Sequence, residues 1–504
     1  MMGHRTHEGE PVSFKGREYL RAIYIDESPR MVIRKSTQCG ITEYLLCRAF
    51  TKALKGRAQF YVLPTLALVG RVVRNRVDQS IEYSPIWRAV AAPATAEIQR
   101  RYGRQAQSVT LKHMGRAAIA FVGSNSRASF TEFPADDLII DEMDECDREN
   151  IKMAPERLGD QAHPTEIRVG QPTPPEVGID EEFSRSDQCL WHVRCDCGEW
   201  QPLSWEANVV EEFQKRRYRV RDPEWQRGKK VRAVCRRCAK PLQNKGPGEW
   251  VAMHPGRDVR GYHLSKLFAG QTTLDRLLEN FAGGLRDDQS ATRFQNGDMG
   301  MAYVGPGNQI GRADLDACVD PTYLMPGGLK EGVSAMGVDV GKVLHVRINV
   351  VDGERLRAVF IGTVPDFADL KALALRYRVK AGVIDAMPET RESRKVAEQL
   401  PGWWVCYYSQ TSKADSEADR IITVNRTAAL DGVKAAIDAH QVTLPANAGS
   451  IPGYYEQMMV PARVFNEAQQ RFEWADRGKA DHYFHAECYA LLAAARIQFR
   501  WVPL

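Results

Sequence analysis

The feature that most constrains the fold is an apolar run that ends in two adjacent carboxylates, Leu138-Ile139-Ile140-Asp141-Glu142. A short, uninterrupted apolar run is typical of a buried strand in a parallel sheet, and it delivers the acids that follow it to the carboxyl edge. There Asp141 would hold a magnesium ion and Glu142 would polarise a water for attack on a γ-phosphate. The run therefore predicts an α/β domain with a nucleotide-hydrolysing site.

A second signal lies upstream, where the apolar stretch Met31–Ile33 is followed by the loop Arg34–Thr42 and then by a helical pattern. The usual phosphate loop reads G-x-x-x-x-G-K-S/T. In this chain Lys35 stands at the first glycine position, Gly40 fits the second, and Ile41 replaces the usual lysine. The loop thus predicts a deviant phosphate-binding motif.

Phosphate binding needs backbone N–H groups at a helix N-terminus and one nearby cation. Lys35 would supply that cation from the other end of the loop, and Thr42 the hydroxyl that binds magnesium. The alternative is a basic strand-to-helix turn without a ligand. The residues predicted to bind the nucleotide are Arg34, Lys35, Ser36, Gly40, Ile41, Thr42 and Asp141.

The length and composition of the chain are typical of a globular protein with more than one domain. A chain of 504 residues is expected to form two or three domains. We expect neither secretion nor membrane insertion, because the N-terminus lacks the apolar core of a signal peptide and no run approaches ~20 apolar residues. A net charge of +5 is concentrated in the basic runs 99–104 and 215–221. These runs suit either a phosphate backbone or a solvated surface.

Four cysteines form a distinct group, Cys195 with Cys197 and Cys235 with Cys238. Paired thiolates on two turns can make a tetrahedral zinc site. The first pair is C-x-C, shorter than the usual C-x-x-C, so Cys189 is a substitute ligand. The alternative is four reduced thiols in a ribbon held by packing.

Proline, glycine and the predicted helices and strands indicate how the chain divides into domains. Residues 1–305 are assigned to an α/β ATPase domain, with a zinc-ribbon-like insert over about 186–250 and a mostly helical segment over 251–305. A strand from Ile167 leads into a polar turn that either senses the γ-phosphate or is an ordinary proline-rich turn. Proline and glycine mark a linker over 306–332, and residues 333–504 form the second domain.

The second domain opens with three predicted strands at residues 335–341, 344–351 and 356–361, followed by a helix from Asp366. The apolar run 381–385 is a further strand, and a late helix opens at residue 481. Strand hairpins, a helix, a strand and a late helix follow the order of a ribonuclease-H-like fold.

Three acids lie at matching places in this order, Asp339 on the first strand, Asp385 at the end of the fourth strand and Asp481 at the late helix. In such a fold these positions converge on two metal ions about 4 Å apart, which activate water and stabilise the leaving oxygen. Each acid alone could instead be a strand-end or helix cap. Together they predict metal-dependent phosphodiester hydrolysis; the resemblance named below implies that the enzyme is an endodeoxyribonuclease.

These motifs resemble the large terminase subunits of tailed phages, most nearly the lambda-like GpA group. The matching features are the deviant phosphate loop, the segment from Leu138 to Glu145, the cysteine module, the strand around Asp339, and the late segment from Asp481 to Tyr489. The resemblance covers most of the chain. It implies a P-loop NTPase of the ASCE type followed by a ribonuclease-H-like nuclease.

The resemblance implies an ATP-driven motor that packages viral DNA into a procapsid and cuts genome concatemers. It further implies binding of ATP, Mg²⁺ or Mn²⁺, double-stranded DNA, the portal protein and a small terminase subunit, in a homo-oligomeric ring, as a pentamer. The place of action would be the host cytoplasm and, transiently, the procapsid. His485 stands where many relatives carry an acid, so Asp481, His485 or both would provide the third metal ligand.

Three other classes fit parts of the pattern. A helicase or remodelling ATPase with a degenerate second domain predicts no metal-dependent cutting. A transposase-like nuclease with an ATP-binding regulator predicts strand transfer, but no recognition helix-turn-helix is evident in the sequence. A zinc-ribbon adaptor without catalysis leaves both sets of acids unexplained.

Overall fold

A computed structural model provides the structure of the chain. It describes residues 3–91, 108–131, 133–159, 161–173, 175–214, 217–305, 307–353, 355–409, 416–466, 471–476 and 478–497. The chain divides into two compact units, Met1–Tyr303 and Val304–Leu504. Both units are mixed α/β structures built on a large sheet with a parallel core.

The first unit contains twelve strands among its described residues. Their bounds are β1 Arg30–Lys35, β2 Gln59–Leu63, β3 Leu111–Met114, β4 Ala117–Gly123, β5 Asp137–Ile140, β6 Thr165–Gly170, β7 Cys189–Arg194, β8 Trp200–Pro202, β9 Val210–Gln214, β10 Arg217–Val220, β11 Gly248–Ala252 and β12 Arg260–Leu264. All of them except β9 and β10, which pair with each other, belong to one sheet.

The order in this sheet is β11-β7-β12-β1-β6-β5-β2-β4-β3, with β8 paired to β7. From β12 through β4 all neighbours run parallel. Strand β1 is buried from Met31 to Lys35 and β5 along its whole length. Their apolar runs therefore occupy the two-faced interior of the sheet that the sequence predicts.

Ten helices accompany the strands among the described residues of this unit. Their bounds are α1 Tyr19–Ile25, α2 Ile41–Leu54, α3 Leu66–Val72, α4 Asp78–Tyr83, α5 Pro85–Ala91, α6 Arg148–Ile151, α7 Ile179–Arg185, α8 Trp205–Asn208, α9 Leu274–Gly284 and α10 Asp288–Thr292. Helix α2 buries Leu45, Leu46 and Phe50 against the core. This packing fixes the position of α2 relative to the loop that joins it to β1.

The cysteine-containing segment is continuous with the main sheet. Strand β7 pairs in parallel with β12 and antiparallel with β11 and β8. Trp191 on β7 and Trp250 on β11 stand opposite each other in register, and their ring centroids are 5.3 Å apart. Strand pairing therefore joins β7, β8 and β11 to the main sheet, and the zinc-ribbon-like insert predicted over 186–250 stays a prediction.

The prediction that the segment 251–305 is mostly helical is wrong for its first part. Residues Arg260–Leu264 form β12, which lies directly beside β1. The stretch is short and contains arginine, glycine and histidine, so it carries no apolar pattern of its own. Burial of Tyr262 and Leu264 between neighbouring strands makes it a strand.

The second unit contains eleven strands among its described residues. Their bounds are β13 Val319–Asp320, β14 Ser334–Val340, β15 Leu344–Asp352, β16 Arg355–Val364, β17 Val379–Asp385, β18 Trp403–Ser409, β19 Ser416–Ala418, β20 Ile421–Asn425, β21 Val442–Pro445, β22 Ala462–Asn466 and β23 Arg471–Ala475. Nine of them form a sheet in the order β13-β21-β16-β15-β14-β17-β18-β20-β19, and β22 and β23 form a hairpin.

The centre of this sheet changes direction at β14. Strands β16, β15 and β14 form an antiparallel meander, and β14, β17, β18 and β20 run parallel. The helices are α11 Arg312–Asp316, α12 Phe367–Arg376, α13 Thr390–Gln399, α14 Arg426–Asp438, α15 Tyr454–Met459 and α16 His482–Ala494. Helix α11 and strand β13 show that residues 306–332, predicted as a linker, are partly folded onto this unit.

Helix α16 lies directly on β14. A Cβ placed on Gly337 would come within 2.1 Å of the Ala490 amide nitrogen and 2.2 Å of the Ala486 carbonyl oxygen. Only glycine permits this approach of helix and strand backbones. The contact brings the start of α16 to the carboxyl end of β14, where Asp339 lies.

No helix in the described ranges is both long enough and apolar enough to cross a membrane.

Candidate functional site

The loop between β1 and α2 presents free backbone amides at the start of a helix. Gly40 adopts a φ of 81°, and this left-handed residue turns the chain into α2 at Ile41. Within the part of the chain that the structure describes, no carbonyl accepts a hydrogen bond from the amides of Cys39 to Thr42. Amides at a helix N-terminus attract an anion, so this loop can hold a phosphate group.

The cation beside this loop is Lys35, the last residue of β1. Its Nζ donates a hydrogen bond to Oε1 of Glu142 at 2.8 Å. The Lys35 side chain is buried, whereas that of Glu142 is 34% exposed. Glu142 has a φ of 54°, a left-handed conformation that costs energy for a residue with a long side chain. This strained turn directs the carboxylate back towards the phosphate loop.

Asp141 lies deeper than Glu142. Its Oδ2 accepts a hydrogen bond from the Tyr61 hydroxyl at 2.9 Å, and its Oδ1 accepts one from the Glu142 amide at 3.1 Å. Burial, with the neighbouring Glu142 charge, raises the pKa of Asp141 to about 6. Burial alone would lower the pKa of Lys35, but the carboxylates of Glu142 and Asp141 outweigh it and raise that pKa.

The other predicted nucleotide-binding residues have different surroundings. Ile41 is only 1% exposed and packs into the core, so its side chain faces away from the loop opening. Arg34 donates to Oδ1 of Asp180 at 2.6 Å and its guanidinium lies over the ring of Phe183, which ties β1 to α7. Thr42 is the second residue of α2 and is partly exposed.

A wide helical turn at Arg293–Met299 braces the phosphate loop, and no motif in the sequence predicts this role. The amide and hydroxyl of Thr37 donate to the carbonyl oxygen of Gly297 at 3.0 Å and 3.1 Å. A Cβ on Gly300 would lie 2.7 Å from the amide nitrogen of Ser36. The conformation of the phosphate loop therefore depends on contacts with this later segment. In the sequence, the glycines at 297 and 300 are the only sign of such close contacts.

The polar turn that follows β6 contacts the acidic turn that follows β5. The amide and hydroxyl of Thr173 both donate to Oδ2 of Asp144, at 3.0 Å and 3.1 Å. The amide of Ile179 donates to Oδ1 of the same carboxylate at 2.7 Å. Burial raises the pKa of Asp144 to about 6. The predicted sensor turn is thus connected to the turn that carries Asp141 and Glu142.

In the second unit, two of the predicted acids lie side by side. Parallel strands β14 and β17 pair Val338 with Ile384, so Asp339 and Asp385 are the next residues in register. Burial, followed by the Asp339 charge among other groups, raises the pKa of Asp385 to about 6. The charge of Asp339 thus acts on the Asp385 carboxyl, and a cation placed between two such acids would favour their ionised forms.

The third predicted acid, Asp481, immediately precedes α16. Its Oδ2 lies 3.3 Å from Nε2 of His485, one helical turn later. Burial opposes ionisation of Asp481, but the hydrogen bond and charge of His485 prevail and lower its pKa. The Tyr408 hydroxyl lies 3.0 Å from Nδ1 of His485. The two candidates for the third metal ligand therefore form one pair.

Two further residues lie at this site that the sequence does not predict as ligands, His345 and His482. His345 stands opposite Asp339 in the β14–β15 register. Nδ1 of His482 lies 2.8 Å from Oδ2 of Asp339. The turn at Gly341 between the two strands is the sequence signal for this register, since it places residue 345 opposite residue 339.

The four predicted cysteines converge. Their four sulfur atoms all lie within 4.8 Å of one another. The Sγ atoms of Cys195 and Cys238 are 3.6 Å apart, and those of Cys197 and Cys235 are 3.8 Å apart. Four sulfurs around one zinc at about 2.3 Å lie roughly 3.8 Å from each other, so the spacing fits a four-thiolate site.

Hydrogen bonds around Cys235 favour its thiolate form. Nε2 of Gln201 donates to the Cys235 sulfur at 3.1 Å, and the amide of Arg237 donates at 3.4 Å. Burial opposes ionisation, but backbone and side-chain hydrogen bonds lower the pKa of Cys235 to about 6. Cys189, the substitute ligand, contacts Asp187 and Arg260 instead.

The predicted basic runs are described only in part. Residues 99–104 lie outside the described residues, as do Lys215 and Arg216. Arg219 forms an ion pair with Glu211 across the β9–β10 hairpin, and Arg221, just after β10, forms a second ion pair with the same carboxylate. The described part of the second run is therefore partly neutralised.

Comparison with known proteins finds a family model that matches most of the first unit. Residues 13–254 match the family model described as the phage terminase large subunit gpA, ATPase domain. A comparison with curated protein sequences finds no significant match.

Three solved structures are similar to the chain at low identity. A large terminase from a thermophilic bacteriophage is 10% identical, covers 97% of this chain and 100% of its own, and has a TM-score of 0.32. The ATPase domain of the Thermus phage P74-26 large terminase is 14% identical, with 59% and 96% coverage and a TM-score of 0.33. The large terminase nuclease from thermophilic phage G20c is 12% identical, with 36% and 96% coverage and a TM-score of 0.27.

Proposed function

Because residues 13–254 belong to the ATPase-domain family of phage terminase large subunits, we propose that the protein is a viral DNA-packaging motor. It hydrolyses ATP to move double-stranded DNA into a procapsid, and it cuts concatemeric genome DNA with its second unit. The observation that carries the proposal is this family match, which spans the phosphate loop and the Lys35–Glu142 pair.

The strand order supports ATP hydrolysis by the first unit. The order β12-β1-β6-β5-β2 is that of an ASCE-type P-loop ATPase, in which one strand separates the phosphate-loop strand from the acidic strand. The amides of residues 39–42 bind the phosphates, and Lys35 neutralises their charge. Glu142 orients the attacking water, and Asp141 and Thr42 would hold a magnesium ion, which would offset the charge that develops on the phosphates.

The strand order of the second unit supports a ribonuclease-H-like nuclease. The order β16-β15-β14-β17-β18, with only β15 antiparallel to its neighbours, is that of this fold. Asp339, Asp385 and Asp481, with His485 beside the last, would hold Mg²⁺ or Mn²⁺. Two such ions supply an activated water and stabilise the leaving oxygen. The cluster of ligating atoms within 4.8 Å, among the described residues, contains Asp339 but neither of the other acids.

The cysteine module would hold zinc. Zinc bound by Cys195, Cys197, Cys235 and Cys238 would fasten the turn after β7 to the loop before β11. Both strands extend the sheet that carries β1. A closed four-thiolate site has no open coordination position, so its role would be structural.

The proposed partners follow from the packaging function. They are double-stranded DNA, the portal protein of the procapsid and a small terminase subunit, with the chain acting as a homo-oligomeric ring, a pentamer, in the host cytoplasm. The remaining basic side chains of the 215–221 run would contact phosphates, which carry no sequence information.

The test uses the full chain with linear and concatemeric double-stranded DNA. We expect ATP hydrolysis stimulated by DNA, and cutting with little sequence preference that requires a divalent ion. Asp385→Ala should abolish cutting and leave ATP hydrolysis intact, because the two sites lie in different units. Hydrolysis without cutting by the unmodified chain would favour a remodelling ATPase, and joining of DNA ends to a target would favour a transposase-like enzyme.

A further inference from the structure

Three side chains from separate elements meet beside the acids of the second unit. Asp339 lies near the end of β14, His345 lies opposite it on β15, and His482 is the first residue of α16. One ligand atom from each of the three lies within 4.8 Å of the other two. We name this set the His–His–Asp cluster.

The cluster contains a buried nitrogen that requires a partner. His345 is 8% exposed, and its Nδ1 has no hydrogen-bond partner among the described residues. A buried polar atom without a partner costs free energy, so a ligand at this position would stabilise the fold.

The other two members of the cluster, His482 and Asp339, are as close to each other as two ligands of one metal ion. Nδ1 of His482 lies 2.8 Å from Oδ2 of Asp339. The rings of His482 and His345 have centroids 4.6 Å apart. Since the His482 side chain is 40% exposed, an ion from solvent can reach the cluster and take the place of the proton shared by His482 and Asp339.

We propose that the His–His–Asp cluster binds a divalent transition-metal ion, of the series from Mn²⁺ to Zn²⁺. Two imidazoles and one carboxylate suit such ions, whereas Mg²⁺ prefers oxygen ligands and retains its waters. The site is separate from the oxygen ligands of Asp385 and Asp481 but shares Asp339 with them. The ion would fix the Asp339 carboxylate in the orientation in which it faces Asp385.

The inference rests on the proposed function only where it connects this ion to DNA cutting, since binding itself needs no catalysis. A competing explanation is that His482 orients Asp339 by a hydrogen bond and that no ion enters. This explanation predicts that His345 contributes packing alone. The two can be distinguished by direct measurement of bound ions.

The experiment adds Mn²⁺ to the full chain in the presence of excess Mg²⁺, which occupies the all-oxygen positions. Bound Mn²⁺ is counted by electron paramagnetic resonance, and coupling to ¹⁴N reports imidazole ligation. Thiolates do not compete for this probe, because soft sulfur ligands select other metals. We expect one Mn²⁺ per chain with a nitrogen signal.

Two variants test the ligands. His345→Phe keeps an aromatic ring against His482 and removes the nitrogens, and His482→Asn removes the exposed imidazole. Each should weaken Mn²⁺ binding by about 10- to 100-fold, the usual effect of losing a metal-site partner. His440→Asn is the matched control, because this exposed histidine has a φ of 52° that asparagine tolerates.

Equal Mn²⁺ affinity in His345→Phe and in the unmodified chain, or a bound ion without ¹⁴N coupling, would overturn the inference. Loss of binding in His440→Asn as well would also overturn it, since the effect would then be general. Asp385→Ala separates the two proposals. If it retains the nitrogen-coupled ion and the unmodified chain fails to cut DNA, the nuclease proposal is wrong and the metal site stands.

Discussion

Nζ of Lys35 lies 2.8 Å from Oε1 of Glu142, although the two residues are 107 positions apart in the chain. The usual phosphate-loop lysine stands at the start of the helix, whereas this one stands at the end of the strand. The helix position is filled by Ile41, which is buried. In the proposed function, the charge that meets the phosphates would therefore approach from the sheet, and the Glu142 carboxylate would hold it until nucleotide binds.

Replacement of Lys35 by alanine should weaken ATP binding and abolish ATP hydrolysis. The loop would then lack its buried cation, and Glu142 would have no partner. Binding of a fluorescent ATP analogue is the direct measurement. Lys55→Ala, at the other end of α2, is the matched control and should bind as the unmodified chain does. Retained hydrolysis in Lys35→Ala would show that another residue neutralises the phosphates.

Ile41→Ala should lower the stability of the first unit, because Ile41 is a core residue at the position that usually carries the lysine. The side chain is only 1% exposed and packs in the core of the first unit. Truncation of a buried isoleucine typically lowers the free energy of unfolding by about 2–5 kcal/mol. Chemical denaturation of the variant should show a loss of this size.

Glu142→Gln should bind ATP and hydrolyse it about 10²- to 10⁴-fold more slowly, the usual contribution of a group that takes up a proton in the transition state. Glutamine keeps the length of the side chain and its oxygen can still accept from Lys35. Steady-state phosphate release with nucleotide binding measured alongside separates the two effects. A near-normal rate would assign the water-orienting role to another residue.

Metal analysis of the purified protein should find about one zinc per chain, in line with a single four-thiolate site. Cys235→Ser should lose that zinc, because the oxygen is a poor substitute for a thiolate. Cys189→Ala should retain it, since the Cys189 sulfur contacts Asp187 and Arg260. A folded protein without zinc would indicate that packing alone holds the module.

Gly337→Ala should destabilise the second unit and displace α16. The added methyl group would meet backbone atoms of Ala486 and Ala490, which cannot rotate away. Overpacking of this kind costs about 1–3 kcal/mol or more. Gly449→Ala is the matched control, because its nearest neighbour is a ring atom at 3.7 Å. Chemical denaturation and DNA cutting should both change in the first variant and in neither for the second.

Stability of the first unit should fall as the pH decreases from about 6.5 towards 3 because of His263. Burial, with the Arg34 charge, lowers the pKa of His263 to about 3. The unfolded chain therefore binds a proton in this window and the folded chain does not, so acid favours unfolding. His263→Gln keeps a donor for the Met299 carbonyl and should flatten the dependence, measured by denaturation midpoints. An unchanged slope would assign the acid sensitivity to other groups.

The sequence predicted those parts of the fold that carry a local pattern. The apolar runs at Met31–Ile33 and Leu138–Ile140 form strands, and the strand that carries Asp339 lies next to the one that ends in Asp385. Strand β12 was missed because its residues have no apolar run, and only pairing with β1 makes it a strand. The pairing of His345 with Asp339 is set by the short turn between β14 and β15, a local signal that the sequence analysis did not use.

Part of each site also depends on contacts between residues far apart in the sequence, which no local pattern predicts. Nothing near Thr37 in the sequence indicates that Gly297 accepts its hydrogen bonds. The closeness of α16 and β14 depends on a single glycine whose role emerges only when the helix is in place. Roles assigned to single acids and lysines stay predictions until the variants described above are measured.

Strand β1 pairs on one side with β6, at residues 165–170, and on the other with β12, at residues 260–264. A ribosome releases β1 long before either partner, so the nascent chain carries an apolar strand with both edges unpaired until residue 170 and with one edge unpaired until residue 264. Contacts this far apart in sequence form slowly, and exposed edges invite association with other chains. Production of this protein should therefore respond strongly to temperature and to chaperones that shield extended segments, and fragments that end before residue 264 should aggregate.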